Sequence, residues 1–440
     1  MKPTRGNMMG LWEAVAMAVG TMIGASIFTM LGLGAKIAGP NLPLVFVLSG
    51  LLALFVAYSY AHLGKRYVSN AGPIEFIVRG VGDSVVTGAL AILFWFSFVV
   101  SIALFAKGFA GYFLPLVHLP VAGLAQGWVE AGVVAAFTAL NFFGSKAVGR
   151  AEFWIVLIKL SVLGVFVVLG IWTVHPDWVT PRFDPEHLRG TLYGAAIFFL
   201  SYMGFGLVTN ASENLENPEV NVPRAIYLSI LIVSVVYISV ALVAVGNVAL
   251  PELLKAEEYA LAEAAKPFLG AFGYVLVSLG ALFSISSALN ATLYGGANIA
   301  YALARQGELP AAFERKVWFS ATEGLYATAV LGLLFALAFD LSGIAGITSS
   351  VMIMIYLFVF VAHYRLLRAG QADGRPWFVV LSFVVVASVF LVLQVYQWNQ
   401  GRAAFWATFA AFGLALAFEW VYRSVSRRTI HQRDLASDKR

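Results

Sequence analysis

Not one of the 440 residues is cysteine. That absence removes disulfides, thiolate nucleophiles, iron–sulfur clusters and Cys-ligated zinc together, and it leaves the redox compartment unmarked. Charge is scarce as well: 12% of residues are charged, where a soluble domain carries roughly 25%. Histidines number six and no two stand at i, i+4, so no helical metal site is indicated, and His62, His363 and His431 read as interfacial. What fills the chain instead is apolar, 60% of it, with a mean hydropathy of +0.84. A water-soluble fold cannot hide that much apolar surface.

Crossing a bilayer as a helix takes about 20 apolar residues. About twelve such stretches recur between polar punctuation, which predicts an all-α integral membrane protein. They run Leu11–Ala38, Leu42–Leu63, Ser84–Leu114, Trp128–Phe143, Phe153–Val174 and Gly190–Thr209, then Ala225–Ala249, Pro267–Leu303, Leu325–Phe339, Ile344–Leu367, Trp377–Tyr396 and Ala403–Tyr422. Leu11 opens a run too long for a signal-peptide core, so the first span is expected to remain in the mature protein. Ser69 to Gly82 is too polar to cross and is expected along the inner interface.

Lys and Arg fall unevenly between the loops. With both termini on the same side, twenty lie there, six lie on the other side, and Lys107 and Lys159 lie within spans. The bias predicts a multi-pass cell-membrane protein with both termini cytoplasmic. The basic tail, residues 424–440, has a simple account as an anchor to anionic lipid, so the bilayer is an expected partner and nucleic acid is not. Asn210-Ala211-Ser212 and Asn290-Ala291-Thr292 match the glycosylation triplet but fall at an inner face and within a span. The glycine–lysine runs at 32–36 and 144–146 lack phosphate-loop spacing. No catalytic constellation appears in the spans, so no enzyme and no cofactor are predicted, and no obligatory protein partner is evident.

The first span contains Gly20-Thr21-Met22-Ile23-Gly24-Ala25-Ser26-Ile27-Phe28, and the sixth contains Ser201-Tyr202-Met203-Gly204-Phe205-Gly206. Glycine favours non-helical backbone, and also allows close packing, so one cluster alone is ambiguous. Two in mid-span, five spans apart, point to paired breaks. Unwound backbone survives in a membrane only where it lines a buried or wet cavity, and five spans between breaks invert the second group of five relative to the first. Such breaks offer helix-end N–H groups near Ala25 and free carbonyls at Met22 and around Leu200 to Met203. A zwitterionic amino acid would satisfy both sets. That is the architecture of a transporter: residues 11–174 as a first repeat, 190–368 as an inverted second, 376–423 as two further helices.

The 20–28 run resembles the substrate motif of the amino acid–polyamine–organocation permeases. Glu213-Asn214-Leu215-Glu216-Asn217-Pro218 through Asn221-Val222-Pro223-Arg224-Ala225-Ile226 resembles their cytoplasmic signature. The resemblance covers nearly the whole chain. With Asn141-Phe142-Phe143-Gly144-Ser145-Lys146 and Ile347-Thr348-Ser349 it is similar to archaeal, broad-specificity, proton-coupled and sodium-independent members. It implies the leucine-transporter-type 5+5 fold with broken helices 1 and 6. It places a substrate carboxylate at the amides of Ala25 and Ser26, within a site of Met22, Ile23, Gly24, Ala25 and Ser26. The amine would meet carbonyls at Met22, Leu200 and Met203, with Phe199, Tyr202, Gly204 and Phe205 shaping the pocket.

Lys159 interrupts an apolar run about seven residues, roughly 10 Å, inside its span. It either snorkels to the interface or faces the bundle, where desolvation would make it a proton carrier. The resemblance implies the second: its amine would replace the cation that sodium-coupled relatives hold between helices 1 and 8, meeting the Gly20 carbonyl and a hydroxyl of Ser284, Ser286 or Ser287. Those serines have an ordinary alternative as interhelical hydrogen bonds. Lys107 is expected to snorkel outward. The expected function is proton-coupled amino acid import; exchange on the same fold and a non-transporting amino acid sensor are the alternatives.

Overall fold

The computed structural model describes residues 8–24, 26–69, 72–143, 148–306, 309–316 and 322–426. Ala25, the 144–146 part of the family motif and the tail beyond residue 426 lie outside it. Among the described residues there is no strand, only the isolated bridges Met9–Leu215 and Lys316–Thr322.

The first span is built from α1 (Leu11–Met22), α2 (Ser26–Thr29) and α3 (Leu31–Ala38), and α4 (Leu42–Arg66) returns. A short α5 (Pro73–Val81) precedes α6 (Val85–Leu116), α7 (Gly123–Leu140) and α8 (Val148–Gly170). The sixth span runs α9 (Pro185–Phe198), a 3-10 stretch Phe199–Gly206 and α10 (Leu207–Asn210). Then come α11 (Pro218–Asn247), α12 (Leu250–Ala256), α13 (Ala260–Gln306), α14 (Glu323–Ala338), α15 (Leu341–Arg368), α16 (Pro376–Gln400) and α17 (Arg402–Ser426). Eleven segments among the described residues are long and apolar enough to cross a membrane, and Glu323–Ala338 is a shorter apolar helix beside them.

Local chemistry sets the ends. Proline occupies the first turn of α4, α5, α9, α11, α12 and α16, where its missing N–H costs nothing. Side chains of Ser84, Asp184 and Asp340 cap α6, α9 and α15. The bond from His187 also holds the Asp184 carboxyl below the usual carboxylate range. Glu13 accepts the Gly10 N–H at 2.9 Å, closing the first turn of α1. Within α13, Gly270 takes φ +61°, ψ −152°, which breaks the helix near its start.

Contacts between loops sort the ends into two faces. On the near face, where α1 begins, Met9 N donates to Asn214 O at 2.8 Å and Glu216 N donates to Met9 O at 2.9 Å. There too the end of α4 is stapled to the 369–375 loop: Lys65 pairs with Asp373 at 3.1 Å, and Tyr67 donates to Gln371 O at 2.7 Å. Lys65 holds the Asp373 carboxyl below its ordinary range, by its hydrogen bond first and its charge second. On the far face Asn41 brackets Arg182 through its amide, donating to Arg182 O at 2.7 Å and accepting from Arg182 N at 2.8 Å. The first span therefore runs from the near face to the far one, the second returns, and the sixth runs antiparallel to the first.

Candidate functional site

The first break follows from where the hydrogen bonds go. Ile23 N still reaches Val19 O at 2.9 Å, but Gly24 N turns back to Thr21 O at 3.2 Å. In an unbroken helix Gly24 N would bond Gly20 O. The Gly20 carbonyl is thus released, and the Lys159 ammonium donates to it. Lys159 is 1% exposed, so it faces the bundle and does not snorkel. Ser284 on α13 closes the other side of the break, its hydroxyl 2.9 Å from Ile23 O and 2.7 Å from Gly24 O. Gly24 is required by the same approach, because a Cβ there would stand 2.9 Å from Ala288 Cβ. Of the three serines singled out, Ser284 bonds the break, Ser287 is buried and Ser286 is half-buried.

The sixth-span break is tightened, not unwound: Phe199–Gly206 is a continuous 3-10 run. It crosses the first break at the same depth, since a Cβ on Gly204 would fall 2.8 Å from Met22 N. Tyr237 of α11 ties the two. Its hydroxyl bonds Met22 O, lies 2.7 Å from Ser26 Oγ and is 3.2 Å from Ser201 O. Ser26 also donates to Met22 O at 2.8 Å. The Met22 carbonyl, expected to be open for an amine, therefore has partners.

Between the breaks lies a cavity of about 180 Å³. Of the residues singled out in the sequence, Met22, Ser26, Leu200, Met203 and Gly204 line it. Ile23 is fully buried away from it, and the backbone turn at Gly24 lies against α13. Phe199, Tyr202 and Phe205 stand behind the wall: Tyr202 donates to Phe46 O at 2.9 Å, Phe205 stacks on Tyr356 and meets Tyr60 edge-on, and Phe199 meets Tyr356 edge-on. Ala25 lies outside the described residues.

Sequence reasoning missed Tyr237, Tyr356 and the α6 pair Ser97 and Ser101. The last three line the cavity, as does Ser201 of the sixth-span cluster. Ser97 and Ser101, four apart in an apolar helix, share one face, a signal that was available. Toward the near face the cavity walls continue to Leu207, Asn210 and Pro73. Toward the far face Phe28, Phe46, Phe198 and Tyr112 are fully buried, with Tyr112 donating to Phe28 O at 2.6 Å. The far side is the packed one.

The two crossed breaks meet over a cavity with no charged wall residue among the described residues. Residues 13–432 match the profile described as amino acid permease. The chain belongs to the amino acid permease family. This permease is 60% identical over 421 residues to an uncharacterized protein of Methanocaldococcus jannaschii, covering 96% of each chain. It is 34% identical to the inner membrane transport protein YbaT of Escherichia coli, covering 92% of this chain and 95% of that one. It is 25% identical to the branched-chain amino acid permease BcaP of Bacillus subtilis, covering 88% of each. The permease is a multi-pass membrane transporter, not an enzyme.

Proposed function

We propose that this permease imports amino acids with protons by alternating access, and that Lys159 carries the coupling proton. The observation that carries the reading is the buried Lys159 ammonium donating to the Gly20 carbonyl that the first break releases. A cation bound at that carbonyl would do the same work, and a lysine that gains and loses a proton can do it reversibly. Its protonated form braces α8 against α1; its neutral form is a weaker donor and loosens that brace. No other cofactor is required.

The substrate lies in the cavity between the breaks, its carboxylate toward the start of α2 at Ala25 and Ser26 and its ammonium toward the carbonyls of Met22, Leu200 and Met203. The near face is the cytoplasmic one, by the excess of Lys and Arg there. In liposomes, an inward acid gradient should drive labelled amino acid uptake, a sodium gradient should not, and Lys159→Ala should abolish the acid-driven component. Uptake stimulated by sodium at fixed pH overturns the assignment.

A further inference from the structure

His363 is fully buried at the near end of α15, so it does not face the interface as its place in the sequence suggested. Its Nε2 donates to Asp373 O at 3.0 Å, which leaves Nδ1 to accept from the Ser59 hydroxyl at 2.8 Å. The loop it holds is fastened on either side as well: Tyr67 donates to Gln371 O, and Arg375 N donates to the Tyr58 hydroxyl at 2.8 Å. Gly374 makes this fit possible. It adopts φ +137°, and a Cβ there would stand 3.1 Å from the Tyr58 hydroxyl and 3.3 Å from His363 Nε2.

The fastened loop presents Arg375 at the membrane edge. Arg375, Trp377 and Phe378 enclose a cleft with Gly374 and with Tyr58 and His62 of α4. Arg375 is exposed, and among the described residues its guanidinium has no hydrogen bond or ion pair. His62 Nδ1 donates to Tyr58 O at 2.9 Å, which leaves Nε2 as an acceptor. Asp373, the carboxylate beside the cleft, is already paired with Lys65 at 3.1 Å and feels Arg66 and His62 too. The rim is therefore cationic.

Below the rim the walls turn apolar. Phe55 stacks on Phe378 at 5.6 Å, and Leu51 and Leu54 of α4 and Leu381 of α16 are 50%, 38% and 41% exposed. Leu51, Phe55, Tyr58 and His62 follow one another at helical spacing, so one stripe of α4 runs from the cleft toward mid-bilayer for about 16 Å. A free anion would use the rim alone, whereas a molecule with a charged head and apolar chains would use both.

We infer that this cleft binds an anionic phospholipid, its phosphate on the Arg375 guanidinium, its glycerol level beside Trp377 and its chains along the groove between α4 and α16. A choline headgroup would bring its own cation against Arg375 and Lys65. A glycerol headgroup brings none, and its hydroxyls can donate to His62 Nε2. Tyr356, two turns before His363 on α15, lines the substrate cavity, so a lipid held here braces the near end of a cavity-lining helix.

The test uses the full-length permease in detergent, with retained lipid read by native mass spectrometry. Added phosphatidylglycerol should stay bound as a discrete one-lipid adduct and raise the melting temperature, while phosphatidylcholine at the same concentration does neither. Arg375→Gln should melt as the parent does without lipid, and should retain phosphatidylglycerol about fivefold less or weaker still. Arg402→Gln removes the guanidinium that lies 4.9 Å over the Trp398 ring at the far end of α16, and should retain the lipid at the parental level. Glycerophosphoglycerol, the same headgroup without chains, should not displace it. Equal retention of the two lipids, retention that survives Arg375→Gln, an equal loss in Arg402→Gln, or displacement by the chainless headgroup overturns the site.

Discussion

The Lys159 ammonium of α8 takes the backbone carbonyl of Gly20, the acceptor that the Gly24 amide abandons for Thr21. The break and the lysine are therefore one construction: the first frees an acceptor in a dry place and the second satisfies it. Lys159→Ala should leave that carbonyl with a lost bond, costing about 1–3 kcal/mol, read as a lower melting temperature in detergent. Acid-driven uptake should disappear while substrate counterflow persists. Lys159→Arg, charged at every working pH, should recover stability without recovering acid drive.

Tyr237 supplies a second prediction. Its hydroxyl and that of Ser26 both bond the Met22 carbonyl, which uses the two acceptor positions of that oxygen. On the proposed binding mode an arriving ammonium must displace one of them. Tyr237→Phe should lower stability by about 1 kcal/mol and tighten substrate binding by up to about tenfold, measured by isothermal titration. Weaker binding would remove Met22 from the amine site.

Spans and breaks were legible because both are local signals: a 20-residue apolar run and a glycine cluster in mid-run need no partner to be read. The character of the sixth break was not, since glycines at 204 and 206 permit either an unwound or a 3-10 backbone, and contact with Met22 and Tyr237 selects the tighter one. Lys107 was read as snorkelling because its partner Glu130 lies on the next span, beyond any helical periodicity. Tyr237 is one of two tyrosines in the apolar α11, ten residues after Tyr227, and nothing in the helix marks it over the other. Which serine of 284, 286 and 287 meets the first span is a matter of helix rotation, which α13 fixes only by packing.

The two glycines of the sixth-span motif should differ in tolerance. A Cβ at Gly204 meets Met22 N and Cγ at 2.8 Å, whereas the nearest atom to a Cβ at Gly206 is Tyr60 Cε1 at 3.5 Å, ordinary contact. Gly204→Ala should cost about 1–3 kcal/mol from overpacking and abolish uptake by forcing the breaks apart. Gly206→Ala, at a helical φ of −61°, should be neutral or stabilising by up to about 1 kcal/mol and retain uptake. Equal losses in both would show that the crossing of the breaks is not the constraint.

Lys107 and Glu130 form a buried ion pair between α6 and α7, and mutation can test it as a unit. Removing one partner of a buried ion pair strands the other charge, at about 3–5 kcal/mol, whereas replacing both with apolar groups of similar volume is often neutral or stabilising. Lys107→Met alone should therefore lower thermal stability sharply, and Lys107→Met with Glu130→Leu should restore it. A double variant no more stable than Lys107→Met alone would mean that a stranded Glu130 carboxylate is not what the single substitution costs.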